Sequence, residues 1–285
     1  MLMIDPGFLM DSSSPRSIYT PQPSLYGCGY MGYSTVDVDV RDSIGWIYMN
    51  RPEKYNAMNK TMLRELISAV DDVEGNPNAK VLVLSGRGKA FSAGIDLSEL
   101  ASAKDPDEAG RLLQSLASLF RRLLNVEKPL IVAVNGDAFG GGAELLWVGD
   151  AVVIAEGARI SWAEARWGLL PPALSTIGLL ALGPVRASYL AMTSNIISAR
   201  EALEIGLASH VTPPEKLGET VASIARAFIE NSPQALRAIK RIKRSIVMTY
   251  MLELGISELE RLSRTISALN AARAFVEKRR PSYEW

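Results

Sequence analysis

One segment near the middle of the chain combines a short apolar strand pattern, three consecutive glycines and a glutamate. The strand pattern covers Pro129–Val134, and Gly140–Gly142 and Glu144 follow it. A β-branched run between breaking residues is typical of a buried strand. Glycines that open a helix let free backbone N–H groups approach an anion. The segment therefore predicts an oxyanion site beside a carboxylate. A tight turn with a solvated glutamate is the alternative.

Strand and helix patterns alternate over most of the chain. Amphipathic helical stretches separate the strand patterns, which are Val36–Val40, Gly45–Met49, Val81–Leu84, Ile131–Val134 and Ala151–Ala155. This alternation predicts an α/β fold. We expect its core domain to cover residues 35–230.

The two ends of the chain differ from this core. Residues 1–34 are rich in Ser, Pro, Gly and Tyr without an apolar period, which predicts a poorly ordered extension, and Met31 is an alternative start. Strand patterns stop after Asn231, so residues 231–285 predict a helical region. Its expected helices are Pro233–Tyr250, Glu253–Leu269 and Ala271–Lys278.

The first of these helices has two distinct faces. Its apolar face consists of Leu236, Ile239, Ile242 and Ile246, and its basic face of Arg237, Lys240, Arg241 and Arg244. We expect the basic face to be solvated. Contact of that face with phosphates is the alternative.

Charge and composition exclude several classes of function. The chain has 31 basic and 31 acidic residues, so nothing in its charge indicates nucleic acid or a membrane surface as a partner. We expect a cytoplasmic protein that acts on small molecules, because no long apolar run or leader pattern is present. The single cysteine, Cys28, and single histidine, His210, argue against disulfides, thiolate metal sites and Ser-His-Asp catalysis.

Two further segments carry features that suit the same chemistry. Gly88–Leu97 is a second glycine-containing turn after a strand pattern, and it supplies a second candidate backbone donor. Glu164 follows Trp162 in an apolar segment that would raise a carboxyl pKa. The alternative for Glu164 is a salt bridge to Arg159 or Arg166. For Trp162 and Trp167, core packing is the first expectation and a narrowed acyl pocket the second.

Three motifs in register resemble those of the crotonase, or enoyl-CoA hydratase/isomerase, superfamily. They are Arg51–Asn59, Phe91–Asp96 and Asn135–Glu144. The resemblance runs from about Val36 to the C-terminus. It implies a spiral of ββα units with a C-terminal helical trimerisation region, an acyl-CoA substrate, and a homotrimer or homohexamer.

The resemblance also implies roles for individual residues. Ile95 and Gly141 would supply the two oxyanion-hole N–H groups, and Glu144 and Glu164 would be the catalytic pair. The residues implied at the CoA site are Lys54, Tyr55, Ala57, Ala93, Asp96 and Leu97, with Phe275 and Lys278 from a neighbouring subunit.

Both glutamates are present, which favours the hydratase branch of the family. The resemblance implies addition of water to a short-chain or branched trans-2-enoyl-CoA, giving a 3-hydroxyacyl-CoA, with no metal and no cofactor beyond the CoA of the substrate. A Δ3,Δ2-enoyl-CoA isomerase and a non-catalytic CoA-binding member are the alternatives. One departure is Pro172, which lacks the backbone N–H of the glycine common there in hydratases.

Overall fold

The computed structural model describes residues 32–247 and 251–283, and only the backbone of residues 246 and 247. Most of the predicted extension, with the alternative start Met31, lies outside these residues. Its last part already contacts the fold: the Tyr33 hydroxyl donates to Asp72 at 2.6 Å, and the Ser34 N–H and hydroxyl donate to Glu65. The contacts of the fold therefore begin slightly before the predicted boundary at residue 35.

Strands and helices alternate along the described chain, as the sequence predicts. The strands are β1 (Val36–Arg41), β2 (Ile44–Met49), β3 (Val81–Gly86), β4 (Ala90–Ser92), β5 (Leu130–Val134), β6 (Asp137–Phe139), β7 (Ala151–Ala155), β8 (Arg159–Ser161), β9 (Ile197–Ser198) and β10 (His210–Thr212). The helices are α1 (Lys60–Gly75), α2 (Leu97–Ala101), α3 (Pro106–Leu124), α4 (Gly141–Glu144), α5 (Ile177–Ala181), α6 (Pro184–Thr193), α7 (Ala199–Glu204), α8 (Leu217–Ile229), α9 (Pro233–Val247), α10 (Glu253–Ser263) and α11 (Ile266–Val276).

The strands form two sheets. The larger has the order β1-β2-β3-β5-β7-β10, and its neighbours are parallel except for the hairpin of β1 and β2. The smaller has the order β4-β6-β8-β9, and only β8 and β9 are antiparallel. The central strands are buried on both faces, which explains why their sequences are continuously apolar.

Each of three consecutive units contributes one strand to each sheet. Strands β3, β5 and β7 of the larger sheet lead into β4, β6 and β8 of the smaller one. Because β4, β6 and β8 are parallel neighbours, the chain leaves Ser92, Phe139 and Ser161 at the same edge. The fold is thus the expected repeat of ββα units, and it gathers three turns at one place.

Helices cover both faces of the larger sheet. The major apolar cluster lies on one face and includes residues of α1 and α3, while α8 packs on the other through Leu217, Val221 and Ala225. None of the helices within residues 32–247 and 251–283 has the length and hydropathy that crossing a bilayer requires.

The C-terminal region is helical, but one predicted boundary is wrong. The structure ends α10 at Ser263 and begins α11 at Ile266, whereas the sequence pattern continued a helix to Leu269. The break follows from Thr265, whose side chain accepts a hydrogen bond from the Ala268 N–H and caps α11. The predicted end of α9 at Tyr250 lies outside the described residues.

The orientation of α9 differs in part from the expectation for its two faces. Lys240 is largely buried and bonds to Asp150, and Lys243 bonds to the same carboxylate at 3.0 Å. The apolar residues Ile239 and Ile242 are instead 62% and 63% exposed. The expected solvated basic face is therefore wrong at Lys240, because the sheet offers a buried carboxylate to which this face binds.

Candidate active site

Glu144 lies at the end of the glycine turn that follows β6. Gly140 adopts φ 51°, a left-handed value that favours glycine, and it begins α4. A Cβ on Gly142 would lie 2.4 Å from the Ser92 carbonyl oxygen, so only glycine allows the two turns to approach this closely. The glycines thus let the turn that carries Glu144 pack closely against the end of β4, and the Glu144 side chain is buried.

The Glu144 carboxyl is completely buried and is held by two backbone donors. The N–H groups of Ala173 and Leu174 donate to its two oxygens, the latter at 3.1 Å. Burial raises the pKa of Glu144, and the two N–H donors oppose that rise. The alternative of a solvated glutamate is wrong.

Glu164 begins the 3₁₀ turn Glu164–Trp167 after β8, and its carboxyl is buried. It is 9% exposed, and neither of its oxygens accepts a hydrogen bond from any residue that the structure describes. Burial and the neighbouring Glu144 raise its pKa well above the ordinary value. The salt-bridge alternative is wrong, since Arg159 pairs with Asp137 and the Arg166 side chain reaches the Ser194 carbonyl.

The two carboxyl groups form an interacting pair across the glycine turn. A Cβ built on Gly140 would lie 3.7 Å from Glu164 Oε1, so this carboxyl faces the turn that carries Glu144. Two buried carboxylate charges repel each other, and Glu144 accordingly raises the pKa of Glu164. The backbone donors favour the charge on Glu144 and the proton on Glu164. This arrangement can therefore accept a proton at one group and donate a proton from the other.

The amides of Ile95 and Gly141 lie next to each other. The Met58 N–H donates to the Gly94 carbonyl at 2.7 Å and the Asp96 N–H donates to the Met58 carbonyl at 3.0 Å, which turns the Ile95 N–H away from Met58. A Cβ on Gly94 would lie 3.0 Å from the Gly141 nitrogen. Neither N–H donates a hydrogen bond to the residues that the structure describes. Both are thus available to a ligand.

The residues implied at the CoA site lie around this turn. Lys54 and Tyr55 are exposed at the end of a 3₁₀ turn, and the Ala93 N–H donates to the Tyr55 carbonyl at 2.9 Å. Ala57, Ala93, Asp96 and Leu97 are partly buried beside them. Asp96 also has structural contacts, because its side chain caps α2 and binds Arg51 at 3.0 Å.

Phe275 and Lys278 lie at the end of α11, which packs against α2 of the same chain. The Phe275 ring contacts Trp167 edge to face, with the ring centres 5.1 Å apart. Their contribution to the site of a neighbouring subunit stays a prediction.

Three groups that hold the site together were not singled out by the sequence. Two of these groups are the amides of Ala173 and Leu174, which follow Pro172. Because Pro172 lacks a backbone N–H, the amides after it were the nearest candidate donors in this segment. Asn56 is fully buried at φ 55°, and its side chain bonds to the backbone of Arg51 and Ala90. Asn tolerates this left-handed conformation better than most residues, which was the available signal.

Two buried tryptophans pack against each other near Glu144. Trp162 is fully buried, as expected for core packing, and its ring centre lies 6.2 Å from that of Trp147. Neither indole N–H has a hydrogen-bond partner among the described residues. The Trp162 N–H nevertheless lies near enough to lower the pKa of Glu144.

The sequence is similar to those of known enoyl-CoA hydratases. Residues 39–285 match the family described as enoyl-CoA hydratase/isomerase. The crotonyl-CoA hydratase of Syntrophomonas wolfei is 36% identical over 214 residues, which are 74% of this chain and 81% of that protein. The hydroxycinnamoyl-CoA hydratase-lyase of Pseudomonas fluorescens is 36% identical over 213 residues, 73% of this chain and 77% of that protein.

The fold is also similar to that of a solved structure with the same family description. The crystal structure of an enoyl-CoA hydratase/isomerase from Xanthobacter autotrophicus superposes with a TM-score of 0.77 at 28% identity, over 85% of this chain and 91% of that one.

Proposed function

The chain belongs to the enoyl-CoA hydratase/isomerase family, and we propose that it is an enzyme that adds water to a trans-2-enoyl-CoA. The product is the 3-hydroxyacyl-CoA, and the acyl group is short-chain or branched. The observation that carries this proposal is that two neighbouring buried carboxyl groups differ in their hydrogen-bond donors. Glu144 accepts two backbone hydrogen bonds, while Glu164 accepts none from the described residues.

In this mechanism the thioester carbonyl oxygen binds to the N–H groups of Ile95 and Gly141. Addition at the β-carbon moves charge onto that oxygen, and two free amides beside each other stabilise it as it develops. The close approach of Gly94 to the Gly141 nitrogen supports the assignment, because Gly94 immediately precedes Ile95.

The two glutamates then divide the transfer of protons. Glu144 accepts one proton of water while the water oxygen bonds to the β-carbon, and the carbon–carbon π electrons move toward the thioester. Glu164 donates its proton to the α-carbon. General acid or base catalysis contributes roughly 10²–10⁴-fold for each positioned group. The hydrogen bonds to Glu144 support its assignment as base, and the isolation of Glu164 supports its assignment as acid.

Pro172 alters how the water would be held. It has no backbone N–H, and the next two amides already donate to Glu144. The water therefore depends on the two carboxyl groups themselves for its orientation.

The remaining parts of the proposal concern binding and assembly. Lys54, Tyr55, Ala57, Ala93, Asp96 and Leu97 contact CoA, and Phe275 and Lys278 complete the site of a neighbouring subunit in a homotrimer or homohexamer. The exposed apolar residues of α9 support assembly, because large apolar patches on a surface mark interfaces. The reaction takes place in the cytoplasm and uses no metal or cofactor beyond the CoA of its substrate.

The test is incubation of the purified protein with crotonyl-CoA in H₂¹⁸O, followed by the mass of the product. We expect one labelled oxygen in 3-hydroxybutyryl-CoA, with rates at least about a hundredfold lower in Glu144→Gln and Glu164→Gln. Unchanged rates in both variants would remove the pair from the chemistry.

Two other results would replace the proposal. A 3-enoyl-CoA that becomes its 2-isomer without uptake of ¹⁸O would indicate an isomerase. Thermal stabilisation by acyl-CoA substrates without any product would indicate a non-catalytic CoA-binding protein.

A further inference from the structure

The indole of Trp162 presents an unpaired polar group beside one of the two glutamates. The residue is fully buried, and its N–H has no hydrogen-bond partner among the described residues. A buried donor without a partner is destabilising and is rare in native proteins. Such a group therefore needs an acceptor.

Trp162 packs against a residue of the segment that carries Glu144. Its ring lies at the end of β8 against Trp147, and Trp147 follows Glu144 by three residues, on the next turn of the same helical segment. Trp147 is itself a donor, since an indole has no acceptor. The Trp162 N–H lies close enough to Glu144 to affect that carboxyl. Glu144 is thus the acceptor that the local structure offers.

We propose that the Trp162 N–H is the third donor to the Glu144 carboxylate, which makes Trp162 a positioning residue that keeps Glu144 as base and the proton on Glu164. Hydrogen bonds in unoccupied active sites are often long and tighten in the complex with substrate. Trp162 acts through Glu144 and needs no contact with the substrate. This inference rests on the proposed hydratase function.

The charges around Glu144 make the effect measurable. Glu164 is the titratable group that interacts with Glu144 within the described part of the chain, and the other groups that face Glu144 are the amides of Ala173 and Leu174. Burial raises the pKa of Glu144, and its hydrogen-bond donors lower it. Removal of one donor therefore raises this pKa, and the base becomes active only at higher pH.

The first experiment compares Trp162→Phe with the matched control Trp147→Phe, which removes the same atoms from the adjoining ring. In Trp162→Phe, we expect the acidic limb of the kcat profile to move to higher pH, with kcat about tenfold lower below that limb and KM nearly unchanged. In Trp147→Phe the limb should stay where it is in the wild type. An unmoved limb in Trp162→Phe, or an equal shift in both variants, overturns the inference.

A second variant separates the N–H from the shape of the ring. Replacement of Trp162 by 3-benzothienylalanine keeps the bicyclic shape and substitutes sulfur for N–H. We expect it to shift the limb as Trp162→Phe does. A wild-type limb in this variant shows that packing alone matters and contradicts the proposal.

A third measurement does not depend on turnover. Infrared titration of protein labelled with δ-¹³C-glutamate, in the Glu164→Gln background and with Glu144→Gln as the blank, follows Glu144 directly. Its pKa should be higher in Trp162→Phe than with Trp162 present. This result supports the role of Trp162 even if crotonyl-CoA is not hydrated, and equal pKa values contradict it even if hydration occurs.

Discussion

Lys240 of α9 and Asp150, just before β7, form an ion pair whose side chains are only 12% and 15% exposed. Lys243 binds the same carboxylate, and the Leu130 N–H donates to it at 2.9 Å. Burial opposes charge on both partners, but the two lysines hold the pKa of Asp150 below its ordinary value. Burial lowers the pKa of Lys240 despite its partner. Buried charged contacts thus join α9 to the residue that precedes β7.

Lys240→Met should lower the free energy of unfolding by about 3 kcal/mol. Loss of one partner from a buried pair costs about 3–5 kcal/mol, and Lys243 still binds Asp150 in the variant. Urea denaturation measures the change. Arg241→Met, at an exposed position of the same helix, is the control and should change stability by less than about 0.5 kcal/mol. Equal effects in the two variants would show that the pair is unimportant.

Glu164→Gln should change how stability depends on pH. The Glu164 pKa is raised in the fold, whereas it is about 4.3 in an unfolded chain. Between these values the folded state binds more protons than the unfolded state, so stability falls as pH rises. The glutamine variant should lose the part of this dependence that comes from Glu164, at most about 1.4 kcal/mol per pH unit, and keep the part that comes from the raised pKa of Glu144.

Urea denaturation between pH 5 and about pH 8 tests this difference. Glu215→Gln, at an exposed site in the 3₁₀ turn Pro214–Lys216, serves as the control and should retain the dependence of the wild type. A Glu164→Gln curve parallel to that of the wild type would contradict a buried carboxyl that keeps its proton.

Gly141→Pro should lower kcat by about 10²–10³-fold, because it deletes one proposed donor of the oxyanion hole. Proline is well tolerated at the first position of a helix, and Gly141 occupies that position in α4. Gly141→Ala is the matched control, since it adds a Cβ near Met58 but keeps the N–H. Steady-state kinetics on crotonyl-CoA should show a far smaller loss in the alanine variant. Similar losses in both would assign the effect to steric contact.

The double substitution Ile239→Glu and Ile242→Glu should dissociate the proposed oligomer. Both side chains are more than half exposed on α9, and burying two carboxylates in an apolar interface is unfavourable. Analytical ultracentrifugation should show monomers in the variant and a larger species in the wild type. Leu203→Glu on α7 introduces a charge elsewhere on the surface and should preserve the wild-type mass. A wild-type mass in the double variant would exclude this face as the interface.

Gly255→Ala should lower kcat although the residue lies in α10, outside the site. A Cβ at Gly255 would lie 2.4 Å from the Pro172 carbonyl oxygen, so the variant must displace Pro172. Pro172 precedes Ala173, whose N–H donates to Glu144. A displacement of about 1 Å can cost up to a hundredfold in rate, and we expect a loss of about tenfold or more.

Gly75→Ala is the control for this prediction, because no atom lies within 4 Å of the Cβ that it adds at the end of α1. Its kcat, measured in the same hydration assay, should equal that of the wild type. If Gly255→Ala is equally active, the segment around Pro172 does not position Glu144.

The sequence predicted the parts of the fold that local patterns determine. Apolar β-branched runs identified the central strands of the larger sheet. Helical periodicity was less informative in the C-terminal region. It identifies which residues share a face of α9, but only the position of Asp150 determines which face turns inward.

The candidate site was predictable in its glycines and glutamates but not in their partners. The turns of Gly94 and Gly140 follow short strands, so the sequence indicated both. The donors to Glu144 come from Ala173 and Leu174, and no local pattern links residues so far apart. The sequence also did not show that Glu164 would form no salt bridge with a described residue, because Arg159 and Arg166 lie nearby in the chain.

The contact between Gly255 and Pro172 has a consequence for the newly synthesised chain. Ribosomal synthesis delivers both glutamates and all strands of the two sheets before residue 255 emerges. Until then the segment that donates to Glu144 lacks the helix that lies behind it. A nascent chain can therefore complete its sheets well before Glu144, the proposed base, is correctly held, and the proposed activity requires that the last helices have folded.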